Sequence, residues 1–204
     1  MTEPVGLSAN TPKRIQVNAG LFIQDFDIPD TVTDADAFKT LLTTTVAART
    51  GVLGATRGGG TFVATPEVRE LEADGKRYRT KGLTKIDSWD IRLTGTLIEA
   101  FQDNFKRGLI TADVDTTGSV DTLTLRTAIA DADYIDKLSW ISLMGDGTYM
   151  VIEVENVINL DGLTFTFQDK NEGTIPFNFA AHHSDIVDQD EAPVKIRYFH
   201  PVQA

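Results

Sequence analysis

Apolar and polar residues alternate with a period of two along most of this chain, the pattern of strands with one buried face. From Ile15 to Phe26 the residues Ile15, Val17, Ala19, Leu21 and Ile23 share one side, which predicts a strand feeding a core until Pro29 and Asp30 break it. Phe62 to Ala73 and Lys76 to Leu83 flank Asp74-Gly75, and an Asp-Gly pair supplies the positive φ angles of a two-residue hairpin turn. Pro66 within the first segment points to an edge strand or a bulge, because proline cannot donate to a ladder. Ile86, Trp89, Ile91 and Leu93 continue as a strand with Asp90, Arg92 and Thr94 outward. Further strands are predicted at Thr122 to Ile129, Leu138 to Met144, Thr148 to Asn159, Leu163 to Gln168, Ile175 to Ala181 and Val194 to Phe199. Asp146-Gly147 and Asp161-Gly162 punctuate two hairpins among them.

Two stretches leave this period. Thr33 offers a cap, Asp34 and Asp36 suit a positive helix start, and Phe38, Leu41, Leu42, Thr45 and Val46 recur at helical spacing, so a short helix is expected before Gly51. It lies inside a connection, residues 27–60, that ends in a glycine-broken run through Arg57, Gly58, Gly59 and Gly60. Connections that long in a compact domain are usually functional or disordered, which makes this one a candidate binding or assembly element. The second stretch, 96–108, reads as the best helix: Thr96-Leu97-Ile98-Glu99 resembles a capping box, and Leu97, Phe101, Phe105 and Leu109 form an i+4 stripe. The fold expected is mainly β: an antiparallel sandwich or barrel with one packed helix, a single domain over 15–204, a long extended loop and an N-terminal arm over 1–14.

Composition narrows the partners. With 30 acidic against 19 basic side chains the net charge is −11, which repels phosphate backbones and disfavours ordinary nucleic-acid binding. No cysteine is present, so disulfide scaffolds and thiolate metal sites are excluded. The first residues lack a basic n-region and an apolar h-region, and no run approaches the ~20 apolar residues of a membrane span. A chain that stays soluble in the producing cell, without membrane insertion, is the expectation.

Candidate chemistry is sparse. Asp113, Asp115 and Gly118 match the early positions of a calcium loop, but Thr124 stands where a bidentate Glu is needed, which favours a solvated turn. His182 and His183 precede Asp185, Asp188, Asp190 and Glu191, yet adjacent histidines on a strand point to opposite faces. The pairs Glu70/Glu72 and Glu153/Glu155 each share a strand face, as a glycosidase dyad does, with nothing marking one member as desolvated. Gly58-Gly59-Gly60 precedes a strand rather than a helix, so it is no phosphate cradle. No catalytic or metal site, no cofactor and no enzymatic activity is expected. Trp89 and Trp140 fall in register with aliphatic neighbours and, with Phe101 and Phe105, are the expected core anchors. Truncating either tryptophan is expected to cost about 3–5 kcal/mol.

Leu53-Gly-Ala-Thr-Arg-Gly-Gly-Gly-Thr-Phe62, Thr65-Pro-Glu-Val-Arg69, Asp74-Gly-Lys-Arg77, Lys81-Gly-Leu83 and Ile86-Asp-Ser-Trp89 together resemble the major tail tube proteins of long-tailed bacteriophages. The resemblance is specific over residues 53–110 and looser from there to Phe199. It implies a structural virion protein that forms hexameric rings stacked into a conduit for the genome, assembled in the host cytoplasm and resident in the virion tail. Implied partners are other copies of the chain, a tail tip or baseplate initiator, a tape measure protein and a tail terminator, with DNA passing through unbound. By likeness, residues 27–60 correspond to an inter-ring loop, with Asp34, Phe38, Leu41, Leu42, Arg57, Gly58 and Gly59 as contacts, and residues 1–14 to an arm reaching a neighbour. The helical segment around Asp34 departs from shorter loops of that family.

The charge agrees, since a hexamer multiplies −11 sixfold and an acidic wall lets DNA slide. Glu67, Glu70, Glu72, Glu153 and Glu155 are the expected lumen acids, because their strands alternate apolar residues with carboxylates. A related contractile-tail or secretion tube subunit shares this architecture. From another class, a carbohydrate-binding β-sandwich using Trp89 or Trp140 is the rival.

Overall fold

The computed structural model describes residues 10–16, 18–184 and 190–202. The chain is mainly β and antiparallel. Ten strands are described: β1 Leu21–Gln24, β2 Thr56–Glu70, β3 Thr84–Leu97, β4 Ala112–Thr117, β5 Val120–Leu125, β6 Ile135–Leu143, β7 Tyr149–Asn159, β8 Thr166–Gln168, β9 Asn171–Ala180 and β10 Val194–Phe199. The helices are α1 Thr11–Arg14, α2 Ala35–Ala48 and α3 Gln102–Gly108. The main sheet path runs β1-β6-β7-β9-β3-β2, with β10 on β7 and β8 on β9, while β4 and β5 form a separate hairpin.

One strand belongs to both layers. β7 pairs with β6 and β10 over most of its length, but its last residues Ile158 and Asn159 pair with β9. β1, β6, β7 and β10 thus form one layer, and β9, β3 and β2 the other. Period-two alternation makes each layer's inner face apolar, and Phe22, Leu93, Leu138, Val154, Ile175 and Phe179 meet between them in the main core. The outer face of the first layer carries Ile23, Ile141, Val151 and Phe199, over which α2 lays Phe38.

The helix at residues 35–48 is longer and better capped than its pattern suggests. Asp34, rather than Thr33, accepts from the backbone N–H groups of Asp36 and Ala37 at 3.0 and 2.9 Å, and Arg49 ends the helix in the left-handed region. The segment expected to be the best helix, 96–108, is helical only in its second half. Thr96 and Leu97 remain in β3, where buried Leu97 pairs with Ile175, and only Gln102–Gly108 is helical. No capping box forms. Glu99 instead accepts from Ala55 N–H at 2.8 Å and from Arg49 at 2.9 Å, and Phe101 precedes α3 without a side-chain cap. Asn104 pins this helix, donating to the carbonyls of Leu53 and Glu99. Phe101 and Phe105 are half-buried, and Phe105 packs against the main core.

Other boundaries move as well. The first strand is confined to Leu21–Gln24, Ile15 is exposed and Val17 lies outside the described residues. Most of the expected arm, residues 1–9, also lies outside them. Asp74-Gly75 does turn, with Lys76 N–H reaching Ala73 O at 3.1 Å, but within a long connection between β2 and β3 rather than as a two-residue hairpin. Asp146-Gly147 joins β6 to β7 as expected, whereas after Asp161-Gly162 the chain enters β8, which pairs with β9 instead of β7. The calcium-like stretch is the β4–β5 hairpin.

Trp140 meets its expectation in part: it packs on the main core and donates from Nε1 to Ala19 O at 3.1 Å. Trp89 does not. It is 46% exposed, because β3 extends beyond the layer that covers Ile91 and Leu93. Trp89→Ala is therefore expected to change the unfolding free energy by no more than about 0.5 kcal/mol in urea titrations, not the cost of a core anchor.

The glycine triplet is part of β2, not of a loop. Gly58 and Gly59 both adopt φ of +75° at a register shift between Thr56 and Gly60, a backbone state that side chains disfavour. Gly60 has a different reason. A Cβ there would stand 2.5 Å from Thr94 O and 2.9 Å from the Phe22 ring. Gly60→Ala is expected to destabilise by about 1–3 kcal/mol through overpacking, again read by denaturant unfolding.

Candidate assembly surfaces

β2 and β3 stay paired over Thr56–Glu70 and Thr84–Leu97, but β3 meets β9 only from Arg92 onward. Beyond Ala64 and Ile91, whose carbonyl still accepts from Ala181 N–H at 2.9 Å, the pair is a two-stranded ribbon that no third strand joins among the described residues. Residues 84–90 are all exposed. The bulge lies where Glu67 pairs with Ser88 and Val68 with Ile86, which leaves Asp87 as the extra residue on β3.

Direct cross-strand partners share a face. Phe62 with Leu93 and Ala64 with Ile91 lie on the inner face, so Pro66 with Trp89 and Val68 with Ile86 extend that apolar face beyond the body. Val68, Ile86 and Trp89 are exposed. The opposite side is polar and tied by local bonds: Ser88 Oγ donates to Glu67 at 2.9 Å, and Arg69 pairs with Asp87 at 2.9 Å. At the far end Lys76 and Arg79 both pair with Glu70.

The five expected lumen acids do not gather on one wall. Because the bulge sits on β3, alternation along β2 is unbroken, and Glu67 and Glu70 fall on opposite sides of the ribbon. Glu72 lies past the end of β2 and is exposed. Glu155 is half-buried and takes Lys195 at 3.2 Å. Glu153 is only 1% exposed, so it is a buried acid and no part of a wet lumen in this chain.

Glu153 lies on the side of β7 that faces α2, between Ser139 of β6 and Lys195 of β10 in register. Arg197 Nε approaches Glu153 Oε2 to 2.8 Å, and Lys137 Nζ stands 3.9 Å from Oε1 and 3.9 Å from Asp27. The Arg197 contact is an ion pair without an aligned hydrogen bond, and Ser139 Oγ and both Glu153 oxygens are buried without hydrogen-bond partners. Burial pushes the Glu153 carboxyl above its ordinary range, against the pull of Arg197, Lys137 and Lys195. Its strand pattern does not distinguish this acid from Glu155, and no sequence signal marks it.

The residues expected in an inter-ring loop divide between two places. Phe38 is fully buried, and Leu41 and Leu42 pack beside it against the same cluster, so these three hold α2 to the sheet. Asp34 caps that helix. Arg57, Gly58 and Gly59 belong to β2 at the other end of the ribbon from Glu70, and Arg57 pairs with Glu172 of β9. Most of 27–60 is thus part of the folded body, and the ribbon is the element that leaves it.

Among the described residues no group of three or more His, Asp or Glu side chains has metal-site spacing. His182 lies edge-on to Tyr134, with Nδ1 3.2 Å from Ala180 O. Asp185 and Asp188 lie outside the described residues. The same residues include no helix long and apolar enough to cross a membrane. No protein-family model matches the chain, and a comparison with curated proteins finds no match.

Proposed function

We propose that this chain is a structural subunit that assembles with copies of itself into the tail tube of a long-tailed bacteriophage. The observation that carries the reading is the β2–β3 ribbon. An apolar face continues off the body with no described residue of its own chain over it, and long bare ribbons of this kind are partnered in working proteins. The residues whose pattern resembles tail tube proteins, 53–110, are the ones that build this ribbon and α3. The acidic balance suits a conduit through which DNA slides, and the role is structural rather than enzymatic.

Negative-stain microscopy of concentrated protein, alone and with a tail-tip initiator, tests this directly. Rings or tubes are the expected result; monomers under both conditions would count against it. Ring size and dependence on a sheath protein separate it from a contractile-tail or secretion tube subunit. The exposed Trp89 is the one observation that favours a carbohydrate-binding module. Its neighbours Val68 and Ile86 on that face are apolar, whereas a sugar platform needs polar groups beside the ring, and binding on a glycan array would reverse this preference.

A further inference from the structure

A cavity of about 400 Å³ opens where α3, the end of β1 and the start of β6 meet the last residues of β7. Its volume lies at the small end of the range of roughly 300–1,000 Å³ that holds small molecules. Ile110, Ile135 and Val157 supply apolar wall, and Arg107 stands among them.

Arg107 is held ready for a partner. Its Nε donates to Gln24 Oε1 at 2.6 Å and its Nη1 to Asn104 Oδ1 at 2.8 Å. Both acceptors are neutral amides whose orientation is set from their other end. Gln24 Nε2 donates to Asp25 Oδ2 at 2.9 Å, and buried Asn104 donates through Nδ2 to the carbonyls of Leu53 and Glu99. The guanidinium plane is thus fixed, while among the described residues Nη2 finds no acceptor and no carboxylate forms an ion pair with the group. Burial pulls Arg107 below its ordinary range, against the attraction of Asp103 and Asp25 from farther off. A planar cation withdrawn from water and met only by neutral acceptors gains most from an anion at its open edge.

The mouth has the opposite sign. Asp25, Asp103, Asp131 and Asp136 line it, are exposed and form no ion pair among the described residues, whereas Asp133 is paired with Arg126. Five aspartates against Lys106 and Arg107 leave the lining at −3. A bare anion is repelled on its way in, and a bare cation meets Arg107 further inside. A molecule that carries both charges satisfies both regions. The backbone around the cavity is strained as well. Of the five non-glycine residues with positive φ among the described ones, Asp25 at +51° and Ile110 at +64° both line it. A β-branched residue in that state is rare, and strained positions of this kind cluster at binding sites.

We propose that this cavity binds a free α-amino acid with an apolar side chain. Its carboxylate meets Arg107 Nη2, its ammonium sits among Asp25, Asp103, Asp131 and Asp136, and its hydrocarbon lies against Ile110, Ile135 and Val157. A nucleotide is disfavoured, because the mouth repels its phosphates and only one fixed cation waits inside. The cavity shares no residue with the apolar face of the ribbon, so this binding and self-assembly stand or fall separately.

Titration of the natural chain with L-leucine, L-phenylalanine and L-methionine, followed by chemical shifts in NMR spectra, tests the proposal. At least one is expected to bind saturably, and its methyl ester and its N-acetyl derivative, each lacking one charge, at least about tenfold more weakly. Arg107→Met is expected to weaken binding by a similar factor. That substitution also removes the bonds to Gln24 and Asn104, so Ala132→Trp, at an exposed position of the lining, is the second variant. It fills the mouth and is expected to abolish binding while leaving the urea midpoint unchanged. Binding that survives both variants would place the amino acid elsewhere and overturn the proposal. So would no binding of any of the three at about 10 mM, a concentration that still reveals weak millimolar ligands. Equal affinity for the ester would make this a plain cation site, and tighter binding of inorganic phosphate a plain anion site; either result would also overturn it.

Discussion

Phe38→Ala lowers the unfolding free energy by about 3–5 kcal/mol, a shift of about 2 M in the urea midpoint at a slope near 2 kcal/mol/M. Phe38 is fully buried, stacked on Phe199 with ring centroids 4.5 Å apart, edge-on to Phe26 at 6.0 Å and beside Tyr149 at 5.2 Å. Its removal leaves a cavity under α2 that these three rings cannot fill by rotamer changes alone. Leu41 and Leu42, the helix's remaining contacts on this cluster, are only half-buried. Amides of residues 35–48 should lose protection from hydrogen exchange more than those of β7. Val46→Ala on the exposed side of the helix is the control, with an expected change within about 0.5 kcal/mol. Equal effects of the two substitutions would mean that α2 does not depend on this anchor.

Arg197→Met has the next largest expected effect, and its size depends on pH. Removing one partner of a buried ion pair leaves an uncompensated charge, at a cost of roughly 3–5 kcal/mol. The lower end applies, because about a third of the Arg197 side chain reaches solvent. The Glu153 carboxyl is raised in the folded chain, chiefly by burial, so the native state holds its proton more firmly than the unfolded one. Its contribution to stability is complete below the unfolded pKa of about 4.3 and is lost as pH rises through the folded value. Without Arg197 the carboxyl moves further up, and the destabilisation is expected to be larger at pH 8 than at pH 5. Glu153→Gln should remove this pH dependence and gain on the natural chain as pH rises above 5. Parallel stability-versus-pH curves for the natural chain and Glu153→Gln would show that the carboxylate is not held at a cost. Lys137, Lys195 and Glu155 also act on this group and set how far the two curves diverge.

The strands β7 and β10 were legible within one residue and β6 within three, because each is a run rich in apolar and β-branched residues with turn residues nearby. The longer helix was legible in kind, from Asp34 and the Phe38, Leu41, Leu42 spacing. Helix α3 misled because Thr96 and Glu99 have cap-forming side chains at the right spacing, yet the ladder between Leu97 and Ile175 holds that segment extended. A sheet partner almost eighty residues away outweighed a local preference worth about 1 kcal/mol. The assembly surfaces divide in the same way. Ile91, Leu93 and Trp89 lie on one apolar face by sequence alone, but only the first two are covered.

What the sequence determined by itself is which side of each strand is apolar, where α2 begins, and the acidic balance with a basic cluster at residues 76–85. The tertiary structure decided how far each layer reaches over the other, and hence that Trp89, Ile196 and Tyr198 are exposed while Glu153 is buried among Ser139, Lys137 and Arg197. Alternation is a local property, set by the direction of successive Cβ atoms. Burial depends on which distant segment ends above a given residue, and no period in the chain encodes that.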